Sequence, residues 1–84
     1  MTERDPLLQQ RQTTHGSFAD NAEISQRIKD AMALNRAHRA PVFNEALDMI
    51  ALKISRICSG HENFKDHWDD IAGYAKLAAE ACTE

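Results

Sequence analysis

The stretch from Pro41 to Gly60, PVFNEALDMIALKISRICSG, carries apolar residues at three- and four-residue spacing and never alternates as a half-buried strand does. A proline opens it and a glycine closes it, the order a helix prefers, because Pro has no N–H to lose at the first turn and Gly accepts the left-handed backbone past the last. The spacing predicts a helix from about Pro41 to Ser59. Projected at 100° per residue, Phe43, Leu47, Ile50, Ile54, Ile57 and Cys58 share one stripe. Glu45, Asp48, Ser55 and Arg56 lie opposite, but Met49 and Leu52 stand among them. A solvent face rarely mixes Met and Leu with its charges, so this helix is expected to be covered on more than one side.

The same reading extends along the chain. A helix is expected from Ser17, as N-cap with Asp20 in the first turn, to about Asn35. Phe18, Ile24, Ile28, Ala31 and Met32 would form its apolar stripe. Another is expected from an Asn63 cap to about Cys82. Phe64, Trp68, Ile71, Ala72, Ala75, Ala78, Ala79 and Cys82 would form its packing stripe, with Asp66, Asp69, Asp70, Gly73, Leu77 and Glu80 opposite. Residues 1–16 read as a polar arm with a short helix from Pro6 to Gln12, broken before Gly16. With no strand pattern, repeat or low-complexity tract, the chain is expected to be all-α. It would be an antiparallel hairpin or bundle of three long helices plus the short N-terminal one, with residues 17–84 as the helical domain.

Size and charge narrow the function. A chain of 84 residues buries only roughly 60–65% of its unfolded surface. With one Trp, one Tyr and three Phe, association into a homodimer or higher homo-oligomer is the expected way to bury more. A formal charge of −3 argues against nucleic acid, whose phosphates need a basic surface. Arg36, His38 and Arg39 read as a solvated loop. No apolar run approaches the ~18 residues of a membrane span, and the polar N-terminus lacks a signal-peptide core. Cys58 and Cys82 read as reduced core residues of a cytoplasmic protein. Cys58, His61 and His67 are one ligand short of structural zinc. No Gly-rich phosphate loop or nucleophile elbow is present.

The acids carry the chemistry. Asp66 stands three residues before Asp69 and four before Asp70, so the three carboxylates share a helix face, with Gly73 one turn on. Glu45 and Asp48 stand three apart on the preceding helix. An antiparallel pair of helices could set the two groups face to face, and hard oxygen donors so arranged suit Mg²⁺ or Mn²⁺. The alternative is an ordinary solvated acidic face. His15, Asn21 and Tyr74 are candidates for contacts to a nucleotide, Asn21 and Ser25 being also natural as buried polar residues satisfied within the fold. Trp68 reads as core.

Three segments, RQTTHGSF, EALDMIALKISRI and DHWDDIAGYAKLA, together resemble a family of small phage and prophage proteins of uncharacterised function. The resemblance runs from about Arg11 to Glu80. That family in turn resembles the MazG-like all-α nucleoside triphosphate pyrophosphohydrolases, whose hallmark is Glu-Glu-x-x-Glu, a spacer, then Glu-x-x-Asp on two antiparallel helices. Here Asn44 stands for the first Glu, and Asp replaces Glu at positions 48 and 66. The resemblance implies Mg²⁺ (or Mn²⁺) held by Glu45, Asp48, Asp66 and Asp69, with Asp70 as a further ligand or a base, and Lys53 and Arg56 on the phosphates; the alternative for these two is pairing with the acids within or between the helices. Two classes follow: a nucleotide pyrophosphohydrolase, favoured by the four-carboxylate spacing, and a non-catalytic phage-type accessory protein binding a nucleotide or a host protein, favoured by Asn44 and the shortened acids.

Overall fold

A computed structural model describes residues 17–84, and all regular structure among them is helical. Helix α1 spans Phe18–Met32, α2 spans Pro41–Cys58 and α3 spans Lys65–Ala81. A single 3-10 turn, Arg36–His38, lies between α1 and α2. The expected arm with its Pro6–Gln12 helix, and His15, lie outside the described residues.

The helix ends follow the expected punctuation with shifts of one to three residues, the largest at the end of α1, which stops at Met32 and not near Asn35. Pro41 is the first residue of α2, preceded by an extended Ala40. Ser17 occupies the N-cap position of α1 without a side-chain capping bond; only its carbonyl is used, accepting from the Asn21 N–H at 2.9 Å. Phe64, not Asn63, is the N-cap of α3. Past α2, Gly60 takes φ +118°, a conformation costly for any residue with a Cβ.

Helix α2 is central. Both α1 and α3 pack along it, whereas α1 and α3 scarcely touch. Both neighbours run antiparallel to it: Asn21 near the start of α1 meets Ser59 past the end of α2, and Lys53 of α2 meets Asp70 near the start of α3. The expectation that α2 is covered on more than one side therefore holds.

The interior is small and partly polar. Its buried apolar residues are Ala46, Ala51 and Ile57, and beside them Asn21, Ser25, Ser55 and His67 are buried. Small residues on α2 let its neighbours approach closely, at the cost of little apolar area removed from water. Leu47, Met49, Ile50, Leu52 and Ile54 remain half-buried. Where α1 meets α2, the Ser59 hydroxyl donates to Asn21 Oδ1 at 3.0 Å, and the Ser55 hydroxyl, 3.4 Å from the same oxygen, donates to the Leu52 carbonyl at 2.7 Å.

Four expectations about the core are corrected. Phe18 is 79% exposed: Asn21 already lies level with the end of α2, so Phe18, one turn earlier, projects past it. Cys58 and Cys82 are free but exposed, the first at the last residue of α2 and the second beyond α3. Trp68 is 53% exposed, and its neighbour His67 is buried instead. The face of α3 turned inward is His67, Asp70, Ile71, Tyr74 and Ala78, while Ala72, Ala75 and Ala79 face out. A stripe made largely of alanines carries little transfer free energy. It sets a helix's rotation weakly, and specific contacts decide it. Two do so here: Trp68 Nε1 donates to the Glu62 carbonyl at 2.8 Å, and Asp70 pairs with Lys53 at 2.8 Å.

Candidate functional site

The acids of α2 are organised by the segment that precedes it. Asn35 adopts φ 62°, the left-handed conformation that Asn tolerates better than most residues, and turns the chain into the 3-10 turn. This presents two arginines to different partners. Arg39 donates from Nη1 to the Leu34 carbonyl at 3.0 Å and from Nη2 to the Met32 carbonyl, satisfying oxygens left open at the end of α1. Its Nε donates to Asn44 Oδ1 at 2.8 Å. Asn44 Nδ2 in turn donates to the carbonyls of Arg36 (3.0 Å) and Arg39 (3.3 Å).

Arg36 is thereby aimed at Asp48. Nη1 and Nη2 donate to the two carboxylate oxygens at 2.9 and 2.8 Å, a bidentate pair. The hydrogen bond from Arg36 holds the Asp48 carboxyl below its ordinary range, assisted by the charges of Arg36, Lys29 and Arg39 against a smaller opposing effect of burial. The Arg36 guanidinium is raised by the same bond, by the Asp48 charge and, last, by nearby Glu45. Arg36 and Arg39, read from sequence as a solvated loop, are structural. Asn44 is the node that holds them.

On α3 the acids have separate partners. Asp70 pairs with Lys53 at 2.8 Å; that hydrogen bond lowers the Asp70 carboxyl below its ordinary range, with smaller help from the charges of Lys53, His67 and Arg56. Asp69 accepts from Lys65 at 2.6 Å, one turn earlier on the same helix. Asp66 lies exposed in the first turn, and Glu45 is exposed on α2.

The structure does not bring Glu45, Asp48, Asp66 and Asp69 together. The Lys53–Asp70 contact sets the register of the hairpin: five residues back along α2 to Asp48 corresponds to five forward along α3, to Ala75. At ~1.5 Å per residue, Asp69 lies about 9 Å, and Asp66 about 14 Å, along the hairpin from the level of Asp48. Among the described residues, no three His, Cys, Asp or Glu side chains are grouped so as to hold a metal ion. A divalent cation needs several oxygens within one coordination sphere. Within one chain these donors do not fit it.

The other candidates are dispersed. Asn21 faces Ser55 and Ser59 in the α1–α2 seam, the buried polar role weighed for it against reading a base. Arg56 is half-buried on α2. Tyr74, half-buried, lines an open groove of about 440 Å³ along α3 with Asp69, Asp70, Gly73, Lys76, Leu77 and Glu80. A Cβ built on Gly73 would meet nothing within 4 Å, so packing inside the chain does not require the glycine. His67, missed by sequence reading, is 1% exposed, its ring edge-on to Phe64 with centroids 4.8 Å apart. It stands one position from Trp68, about 100° around the helix, and a rotation of α3 by about a quarter turn from the expected stripe exchanges the two.

Among the described residues, no helix is long and apolar enough to cross a membrane. Residues 2–82 match the family described as "Domain of unknown function (DUF6378)". No curated protein and no solved structure matches the chain.

Proposed function

The chain belongs to the DUF6378 family, and from that premise we propose that it is a non-catalytic binding protein on a MazG-like helical hairpin, completed by self-association. It would act in the cytoplasm as a phage-type accessory factor, by contact with a partner protein. One observation carries this reading: the positions where the resemblance calls for catalytic acids serve the fold. Asn44 donates to two carbonyls, which a glutamate carboxylate cannot do, and Asp48 is clamped by both arms of Arg36. Arg36, Lys53 and Lys65 are paired with Asp48, Asp70 and Asp69, and Arg39 is bonded within the chain, which leaves the surroundings poorly suited to a bare triphosphate. Free, exposed cysteines agree with a reducing compartment. Half-buried Leu47, Met49, Ile50, Leu52 and Ile54 around a small interior support self-association.

The second reading is the Mg²⁺-dependent nucleotide pyrophosphohydrolase. The α3 groove favours it, having room beside Tyr74 for part of a nucleotide. It requires Arg36 to release Asp48 and the hairpin register to change.

A panel of canonical and modified dNTPs with Mg²⁺ or Mn²⁺ separates the two. The binding reading expects no pyrophosphate release, and no rise in melting temperature on adding either metal alone. Release that is lost in an Asp48→Asn, Asp69→Asn double variant would replace it with the enzyme.

A further inference from the structure

Ser55 and Lys53 of α2, which meet α1 and α3, project about 160° apart. With α1 and α3 scarcely touching, the helices lie side by side in one layer. A single layer encloses no core, and domains bury their apolar faces by packing two layers together. The two broad sides of this layer differ. One is marked by the Lys53–Asp70 pair and carries Glu45 and Arg56 of α2, Asp66 of α3 and Lys29 of α1.

The opposite side carries Phe43, Leu47, Ile50 and Ile54 of α2, all half-buried and with no charge among them. Ile24 of α1 borders it, lining one recess with Cys58 at the end of α2. On α3, Asp70 leans from the inward His67 toward the charged side, so Ile71 and Ala75 turn to the apolar one. Trp68, about 100° from His67, stands out from the layer there. From Ile24 across to Ala72 no described helical residue on this side is charged. Asp20 and Arg27 on α1, and Lys65 and Lys76 on α3, stand only at its edges.

We propose that this apolar side is the interface with a second copy, two layers packing together about a two-fold axis. The inference rests on the self-association in the proposed function and says which surface provides it. Composition selects a second copy as the occupant: an uncharged side rimmed by charge resembles a core cut in half, as in permanent homodimers, more than a transient contact with an unlike protein. Extent agrees. Phe43 to Cys58 is about 22 Å of helix, and three axes about 8–10 Å apart make the side about 20–25 Å wide. That footprint, roughened by its side chains, approaches the ~600–800 Å² per partner of specific interfaces. Residues 1–16 hold only Met1, Leu7 and Leu8 as large apolar residues, too few to cover three helices.

Sedimentation equilibrium of the full chain tests the assignment, with far-UV circular dichroism to show that each variant is folded. Trp68 is the sole tryptophan, and its emission is expected to shift to the blue as concentration rises through dimerisation. Ala75→Glu changes a residue exposed in the monomer and sets two carboxylates in the interface. It is expected to weaken dimerisation about tenfold or more. Leu77→Glu, at a position 59% exposed on the charged side, leaves the affinity unchanged. In a wild type that dimerises, weakening by Leu77→Glu, or none by Ala75→Glu, overturns the choice of side while self-association stands. A wild type that stays monomeric at high concentration overturns both. A lower melting temperature of that monomer in a Leu7→Ser, Leu8→Ser variant would then assign the apolar side to residues 1–16, and an unchanged one to an unlike chain.

Discussion

The amide of Asn44 donates to the carbonyls of Arg36 and Arg39 while its oxygen accepts from the Arg39 side chain, and through that node the bidentate Arg36–Asp48 pair is positioned. Each such bond contributes on the order of 0.5–1.5 kcal/mol net. Asn44→Ala should therefore lower the unfolding free energy by about 1–2 kcal/mol in urea titrations. Asn44→Glu, which restores the resembled family's residue, should cost at least as much and bring no pyrophosphate release. A second prediction concerns acid. Asp48 is depressed in the folded state, first by its hydrogen bond to Arg36. Its contribution is fully present above the unfolded carboxyl value of about 3.9 and is lost as pH falls through the lower folded value. Asp48→Asn should be less stable than the wild type at neutral pH, and the gap should close as the pH is taken below about 4. Equal gaps at pH 7 and pH 3 would mean that the pair contributes nothing. Sequence reading found these acids by their spacing but could not find Arg36 as the partner, because the contact depends on the left-handed Asn35 and a turn that no periodicity announces.

For whole helices, the apolar spacing and the Pro and Gly punctuation were enough to place α2 and α3 to within a residue or two. They were not enough to set the rotation of α3. Leu and Ile along α2 made its central, doubly packed role readable, whereas the alanines of α3 left its inward side open to decision by Asp70 and Trp68. The Trp68 indole holds the turn before α3 by its N–H while its ring is half in solvent. Trp68→Phe, which keeps most of the ring and loses the N–H, should cost about 0.5–1.5 kcal/mol. The several kcal/mol expected from disturbing a packed tryptophan core should not appear. Thermal or urea unfolding distinguishes the two outcomes.

On the scale of the molecule, three helices side by side, with α1 and α3 barely in contact, leave much of the aliphatic surface of α2 half covered. Small buried residues and a polar seam from Asn21 to Ser55 and Ser59 supply specificity of register more than apolar burial. A fold of this kind gains stability from anything that binds only its native state, a second copy included. The melting temperature should accordingly rise with protein concentration, and a midpoint constant over a hundredfold range would count against self-association. The all-helical class, the approximate helix limits and the clustering of acids on two neighbouring helices followed from the sequence alone, since they depend on local spacing and local backbone preference. Whether those acids share a site was decided only by tertiary structure. Register along the hairpin and rotation about α3 are set by Lys53 with Asp70 and by Trp68 with the Glu62 carbonyl, while Arg36 with Asp48 fixes the turn that precedes α2. Their partners lie 6 to 17 positions apart, with no periodic pattern linking them.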